Sequence, residues 1–381
     1  MLRAPIRHRA TPVVLRRRRM VGVATRLTEL LGIEHPIVQA PMAGSNGSAL
    51  AIAVSAAGGL GSLPCAMLST DEVRGEVAAI RAATAGPFNL NMFCHQPPES
   101  DPAGLAAWFE LLAPFYAELG VEVPQGTPGG GRGTFDAALC DLVEELAPPV
   151  VSFHFGLPDD VLVERVKRAG ATVLSSATTV EEARWLVAHG CDVVIAQGLE
   201  AGGHRGMFLA DDPAGQIGTM ALVPQVVDAV DVPVVAAGGI ADGRGIAAAL
   251  SLGATGVQLG TAFLRCPEAT STALHRKALG AAAEDATVLT NVITGRPARG
   301  IVNRLIAEVG PMSAEAPAFP LAVAGSAPLR GAAESHGSSD FSPLWAGQAV
   351  QLTRELPAAQ LIKQLVAEAL AATDLDRWSA R

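Results

Sequence analysis

The sequence predicts an α/β protein built on a closed (β/α)8 barrel of the TIM type, with a smaller, mainly helical cap domain. Eight short apolar segments recur between residues 36 and 263, and most are followed by a segment with helical period. Segments that are apolar throughout are typical of parallel strands buried on both faces. Eight regular units of about 30 residues favour a closed barrel over an open doubly wound sheet.

The eight apolar segments are the predicted barrel strands. They are residues 36–44, 59–64, 88–93, 150–156, 171–177, 192–198, 232–239 and 256–263. Helical period is found in 48–57, 70–83, 159–169, 180–189, 222–230 and 243–252. Suitable N-caps are Ser69 or Thr70, Thr179, and Asp242. The alternation predicts parallel strands, because a helix must return the chain before each new strand.

The predicted domain boundaries follow from where this alternation begins and stops. We expect a disordered basic extension over 1–21, which holds seven Arg, and the barrel itself over 22–267. A helical substrate or cap domain is expected over 268–351, and a final helix within 352–378 is expected to pack back on the barrel. The barrel is interrupted at 94–149, which contains a predicted helix at 103–119 and a Gly-rich loop at 126–133.

Composition limits the possible functions. The formal net charge of −9 argues against nucleic acid as a partner. No apolar stretch reaches the roughly 20 uninterrupted residues of a membrane helix. The five Cys form no CxxC pair, so neither a zinc site nor a disulfide framework is predicted, and no other metal site is expected. Sparse cysteines fit a reducing cytoplasm. The oligomeric state, monomer or homodimer, is left open.

Glycines end the last two predicted strands. Gly238 and Gly239 stand between a strand and a helix, and the segment Gln258-Leu259-Gly260-Thr261 repeats the arrangement one unit later. Glycine lets backbone N–H groups approach a phosphate, and the N-terminus of the following helix favours the anion. TIM barrels commonly bind phosphate at these two loops. We therefore predict a phosphate site here, with a pair of tight turns as the alternative.

The group attached to that phosphate is predicted to be a flavin. No GxGxxG opens a strand–helix unit, which argues against a dinucleotide held in the Rossmann manner. Amides at Asn91, Gln197 and Gln258, together with Ser176, offer uncharged donors and acceptors suited to a ribityl chain and ring edges. The backbone of Ala40-Pro41-Met42 can lie against the ring. The alternative for each amide is that it satisfies the backbone of a loop.

His204 is the predicted catalytic residue and follows Gly202 and Gly203 after the sixth strand. The glycines allow the loop to press against a flat ring, and a histidine there can take a proton or hydrogen-bond an anionic substrate. The alternative is an ordinary surface histidine. His154 alternates with two Phe and shares a face with Ser152, so it is either structural or positions the substrate.

Segments carrying these residues resemble, in order along the chain, the nitronate monooxygenase family, formerly called 2-nitropropane dioxygenases. They are residues 39–44, 89–93, 152–158, 197–206, 236–243 and 258–263. The class I branch is resembled in particular, through the motif EAGGHRG at 200–206 and the downstream segments GRPARG at 295–300 and LWAGQ at 344–348. The resemblance covers residues 27–350.

This resemblance implies a TIM barrel that binds FMN, a helical substrate domain, and oxidation by O2 of small-molecule alkyl nitronates such as propionate 3-nitronate. It also implies FMN contacts and a catalytic histidine at positions already singled out. The FMN contacts are Asn91, Gln197, Gly202, Gly239 and Gln258 to Thr261, and the catalytic residue is His204.

One departure from the family concerns the substrate. The family often carries Tyr and Lys in the cap stretch that corresponds to residues 319–330, where this chain has Phe319 and Arg330. We expect Arg330 to join His154 in positioning the nitronate. An FMN-dependent NAD(P)H:quinone reductase or enoyl-thioester reductase on the same scaffold remains an alternative. A flavin-binding sensor without catalysis is another.

Overall fold

The computed structural model describes residues 24–124 and 133–373. Eight parallel strands form the barrel, and they are β1 (Ile37–Gln39), β2 (Gly61–Pro64), β3 (Phe88–Phe93), β4 (Val150–His154), β5 (Thr172–Ala177), β6 (Val193–Gln197), β8 (Val234–Ala237) and β9 (Gly256–Leu259). Their order around the sheet is β1-β9-β8-β6-β5-β4-β3-β2. A parallel bridge between Val38 and Leu60 joins β1 to β2 and closes the sheet. The predicted (β/α)8 barrel is confirmed.

Helices cover the outside of the barrel or extend from it. They are α1 (Arg26–Leu31), α2 (Ser48–Ala56), α3 (Thr70–Ala83), α4 (Pro102–Leu119), α5 (Ala137–Leu146), α6 (Asp160–Arg168), α7 (Val180–Ala188), α8 (Thr219–Val227) and α9 (Gly243–Ser251). The three predicted N-caps act as such, because the side chains of Ser69, Thr179 and Asp242 each accept from a backbone N–H of the first turn.

Inward-facing side chains change from apolar to polar along the strands. In β4 the inward face runs from Val150 through Ser152 to His154, and in β6 it runs from Val193 to Gln197. The apolar layer packs on the buried side chains of α1, which lie at the amino end of the barrel. Polar groups are therefore concentrated at the carboxyl ends of the strands, where TIM barrels place their active sites.

A second hydrophobic cluster forms the cap. Trp108 and Tyr116 of α4 pack there with residues of α11 (Arg304–Val309) and α12 (Val323–Ser335), while α10 (Ala273–Ala281) follows the barrel. Trp108 Nε1 donates to Ala322 O at 3.2 Å, and Tyr116 OH donates to Gly325 O at 2.7 Å. Helix α4 thus packs in the cap, although it lies inside the range 22–267 that the sequence assigns to the barrel.

The cap also contains a small antiparallel sheet that the sequence did not predict. It is formed by β7 (Gly203–His204), β10 (Thr287–Thr290) and β11 (Ala298–Ile301), in the order β10-β11-β7. His204 pairs with Ala298 and Gly203 pairs with Arg299. The segment that carries the predicted catalytic histidine is therefore held by cap residues.

The last helix described, α13 (Ala358–Ala372), packs between α9 and α2. Its buried residues, among them Leu361 and Leu365, belong to the main barrel core. The predicted basic extension over 1–21 and positions 374–378 of the predicted final helix lie outside the described residues. In the part of the chain that is described, no helix is both long enough and apolar enough to cross a bilayer.

Candidate active site

A cavity opens at the carboxyl ends of the barrel strands. It is walled by the loop after β1, by inward-facing strand residues, by β7 and by residues 345–349. The structure brings to this wall nearly every site residue that the sequence predicts. They are Ala40, Pro41, Met42, Asn91, His154, Ser176, Gln197, Gly202, Gly203, His204, Gly238, Gly239, Gln258, Gly260 and Thr261.

Two predicted site residues lie elsewhere. The Leu259 side chain is buried in the main core, and the contribution of this residue near the site is its carbonyl, which accepts from Ala40 N at 2.8 Å. Arg330 is not part of the cavity wall. It projects from α12 and pairs with Glu334 one turn later, with 2.8 Å between Arg330 Nε and Glu334 Oε1.

The loop of Gly238 and Gly239 has a backbone conformation that favours glycine. Gly238 and Gly239 have φ angles of 113° and 67°, in the left-handed region that favours glycine. A Cβ on Gly238 would lie 2.8 Å from Thr219 Oγ1 and 3.0 Å from Ala201 N. Because β8 and β9 are neighbours, the Gly260 loop lies beside this one. Two lengths of backbone without side chains therefore border the same end of the cavity.

The amide side chains divide into two groups. Gln197 is satisfied by the backbone of the loop, since Oε1 accepts from Gly206 N at 2.8 Å and Nε2 donates to His204 O at 3.0 Å. Asn91 Nδ2 donates to Ser152 Oγ at 2.9 Å. Gln258 differs, because its buried Oε1 has no hydrogen-bond donor within the described residues. An orphaned acceptor costs about 1–3 kcal/mol, so Gln258 marks a place where a ligand that donates a hydrogen bond fits.

His204 is oriented by the cap. Its Nε2 lies 2.9 Å from Thr294 Oγ1, and Thr294 is almost completely buried. The centroid of the Trp345 ring lies 5.5 Å from that of the imidazole. The centroid of the Phe319 ring lies 5.3 Å from it, in a T-shaped arrangement. The sequence did not single out Thr294 or Trp345 as site residues. The one signal for Trp345 was its place in the LWAGQ segment.

His154 supports the segment that carries His204 and does so as a neutral imidazole. Its Nε2 lies 3.3 Å from His204 O, and its Nδ1 lies 3.1 Å from Ser176 Oγ. Burial above all, and then the nearby Arg296 guanidinium, lowers the pKa of His154 to about 3. The neutral ring then donates from Nε2 to the His204 carbonyl and accepts the Ser176 hydroxyl proton at Nδ1.

Arg205, next to His204, is fully buried and secures the end of β6. Its guanidinium donates to Gln197 O at 2.8 Å, to Gly198 O at 2.6 Å and to Gln216 Oε1 at 2.7 Å. Burial lowers the pKa of this guanidinium to about 10, so it stays charged at neutral pH. No role for Arg205 can be predicted from the sequence, because its partners are carbonyl groups that only the folded loop brings together.

The chain is similar to a known family over nearly its whole length. The family model for nitronate monooxygenase matches residues 24–368. The chain belongs to the nitronate monooxygenase family. Members of this family are flavin-dependent oxidoreductases, so the predicted family and enzyme class are confirmed.

Two curated members of the nitronate monooxygenase family match most of this chain. The nitronate monooxygenase of Pseudomonas aeruginosa is 45% identical over 345 residues, which are 90% of this chain and 98% of the relative. The nitronate monooxygenase of Paraburkholderia phytofirmans is 43% identical over 344 residues, which are 90% of this chain and 94% of the relative.

Solved structures agree with the fold. A nitroalkane oxidase from Streptomyces ansochromogenes superposes with a TM-score of 0.83 at 43% identity, covering 91% of this chain and 98% of its own. FabK from Thermotoga maritima superposes with a TM-score of 0.72 at 29% identity, covering 94% and 99% of the two chains.

Proposed function

We propose that this protein oxidises alkyl nitronates with O2, giving a carbonyl compound and nitrite, and that its flavin is FMN. The observation that carries this proposal is the meeting of His204, the two glycine loops and the unpartnered Gln258 Oε1 in one cavity. Relatives named nitronate monooxygenase, at 43–45% identity over about 90% of the chain, support the substrate class.

The residues present fit FMN. The backbone at Gly239 and Gly260 would hold the phosphate, and the open face at Gly203, where a Cβ would meet nothing within 4 Å, leaves room for a flat ring. Asn91 and Gln258 would provide uncharged hydrogen-bonding groups to the flavin. When bound, FMN supplies the transfer of electrons from the nitronate to O2.

The protein positions the substrate. His204 is placed to hold the negatively charged oxygen atoms of a nitronate, or to remove the carbon-bound proton of a neutral nitroalkane. His154 supports the His204 backbone and, being neutral, does not compete with His204 for the anion. Phe93 and Trp345 line the same cavity and exclude water from the reacting groups.

The deciding experiment mixes the purified yellow protein separately with propionate 3-nitronate, propyl 1-nitronate and NADH, following flavin absorbance and O2. We expect nitronate-dependent O2 consumption and no rapid bleaching by NADH without O2. Rapid bleaching by NADH, with no response to nitronates, would replace the proposal with a nicotinamide-dependent reductase. No reaction with any of the three would favour a flavin-binding sensor. Chromatography of the released cofactor distinguishes FMN from FAD.

A cytoplasmic location and a monomeric or homodimeric state stay predictions. Fractionation of the source cells and light scattering of the purified flavoprotein would measure them. The mechanism above requires neither, because every residue that it uses lies in one chain.

A further inference from the structure

A second cavity of about 520 Å³ lies next to the active site. Its wall includes Phe155 and Arg296. The Phe155 ring lies 6.0 Å from the His204 ring, and the Arg296 Cζ atom lies 4.2 Å from the centroid of the same Phe155 ring. The Phe155 ring is therefore close to both the active-site histidine and the Arg296 guanidinium.

Arg296 has hydrogen-bonding capacity that its surroundings leave unused. A guanidinium has five N–H donors. One Arg296 nitrogen, Nη2, donates to Met207 O, while Nε is buried without an acceptor. Among the described residues, no carboxylate oxygen lies within 4.0 Å of an Arg296 nitrogen, which is the limit for an ion pair. Asp211 and Glu182 are nevertheless near enough to raise the pKa of the guanidinium. Burial of such a cation costs free energy that a bound anion recovers.

The other arginines of this region are occupied. Arg205 donates to two carbonyl groups and one amide, and Arg299 donates to Leu199 O and Thr287 O. Arg330 pairs with Glu334. The wall of the main cavity offers no other guanidinium or ammonium group for an anion, because none of the described residues in it is Asp, Glu, Lys or Arg.

The acidic residues that line the second cavity form no ion pair with Arg296 in the described part of the chain. Asp159, Asp160 and Asp211 line it and all three are exposed, whereas Arg296 is half-buried. The charges in the cavity are thus three exposed carboxylates and one half-buried guanidinium. Cys94, His95 and His189 complete the titratable groups among the described residues of its wall.

We propose that Arg296 forms a binding site for a small planar oxyanion, such as a carboxylate or nitrite, beside the His204 site. The guanidinium fork matches two oxygen atoms of such a group. The oxyanion has two sources. It is either the far carboxylate of a nitronate whose reacting end lies at His204, which rests on the proposed function, or a free anion such as the product nitrite.

Wild-type protein tests the site without any turnover. Thermal unfolding is measured in increasing sodium acetate or sodium nitrite, with sodium chloride holding ionic strength constant. We expect a saturable rise in Tm that Arg296→Gln abolishes and Arg330→Gln, the matched control on the Glu334 pair, retains. If wild-type protein shows no rise with either anion and no selectivity in the substrate comparison, the site does not exist.

The substrate comparison separates the two sources. For a substrate carboxylate, Arg296→Gln lowers kcat/KM for propionate 3-nitronate about 10–100-fold while that for propyl 1-nitronate changes less than about 3-fold. If the site binds a free anion, Arg296→Gln lowers kcat/KM equally little for the two substrates, and inhibition by nitrite is weaker in Arg296→Gln than in the wild type. Arg296→Lys, which keeps the charge without the fork, is expected to lie between. Equal large losses on both substrates, with no change in anion binding, would make Arg296 purely structural and overturn the proposal.

If Arg296→Gln does not fold, the anion titration of the wild type and the Arg296→Lys variant still test whether Arg296 forms an anion-binding site. Failure of the proposed function is distinguishable from failure of this one. Absent nitronate oxidation leaves the thermal titration intact, whereas absent anion binding leaves propyl 1-nitronate oxidation intact.

Discussion

The Nε2 atom of His204 and the hydroxyl oxygen of Thr294 lie 2.9 Å apart, although 90 positions separate the two residues in the chain. The first sits on β7 after the sixth barrel strand, and the second precedes β11 in the cap. Pairing of β7 with β11 fixes the backbone on both sides of this contact. The orientation of the imidazole is thus set jointly by barrel and cap.

Replacing His204 by Asn should lower kcat/KM for a nitronate by about 10²–10⁴-fold, because the positioned base or anion-binding group is lost. FMN should stay bound, since the glycine loops are untouched. O2 uptake and the flavin spectrum measure the two effects. His336→Asn, at the exposed end of α12, is the matched control and should behave as wild type. Unchanged activity in His204→Asn would remove this histidine from the mechanism.

Thr294→Val should lower kcat about 10-fold, because the imidazole loses the hydroxyl that orients it. Thr294→Ser keeps the hydroxyl and should recover most of the rate. The pH profile of kcat/KM should shift in Thr294→Val and should not shift in Thr294→Ser. Equal behaviour of the two variants would show that the hydroxyl is not what matters.

Gly202→Ala should weaken FMN binding and activity together. A Cβ at Gly202 would lie 2.5 Å from Gly347 N and 2.6 Å from Ala346 C, so the cavity wall would have to move. Gly75→Ala is the matched control, since a Cβ in the middle of α3 meets nothing within 4 Å. That control should gain about 0.5–1 kcal/mol of stability from helix propensity. Fluorescence titration with FMN measures the affinity, and denaturant unfolding measures the stability. Full FMN affinity in Gly202→Ala would show that the cavity wall tolerates the added Cβ.

Arg205→Met should lower the free energy of unfolding by on the order of 3 kcal/mol, because carbonyl acceptors at the end of β6 lose a buried charged donor. Arg168→Met, whose side chain is exposed on α6, should change it little. Urea unfolding of the two holoproteins gives the comparison. Similar midpoints would show that the loop is held by other contacts.

Stability should fall in mild acid partly through His154. Its folded-state pKa is about 3, whereas a histidine in the unfolded chain titrates near 6.5. Between these values the unfolded chain binds a proton that the folded chain does not, so the free energy of unfolding decreases as pH falls from about 6.5 towards 3. His275, with a pKa of about 4, acts in the same direction.

His154→Asn should therefore show a shallower loss of Tm between pH 7 and pH 4.5 than wild type. The measurement is thermal unfolding across that range at constant ionic strength. A variant whose Tm falls as steeply as that of the wild type would mean that His154 is not the group responsible.

The barrel could be predicted from sequence because each strand carries its own signal. Boundaries differ where local chemistry intervenes. The first predicted segment continues to residue 44, but β1 ends at Gln39, two residues before Pro41, which lacks an N–H for the ladder. Helix α12 was not predicted, since Gly325 and Pro328 give it low helical propensity. Packing forms it: a Cβ at Gly325 would lie 2.7 Å from Trp108 Nε1, so glycine permits this close contact with α4.

The candidate site was predictable where it depends on strand ends and not where it depends on contacts between distant segments. Gln258 and Gly239 follow from counting strands. Thr294 and Arg205 do not, because their roles appear only once β7 pairs with β11 and the loop folds around the guanidinium. Arg330 was expected in the site because it falls in a cap stretch where the family often carries Lys, but it pairs with a glutamate one turn away on its own helix and is not part of the cavity wall.

Helix α13 has a consequence for how this molecule is made. It fills the space between α9 and α2, so the helical layer has a gap until residues 358–372 leave the ribosome. By then the entire cap has been synthesised. During synthesis of the cap, the surfaces of α9 and α2 that α13 covers therefore lack Leu361 and Leu365 as apolar partners.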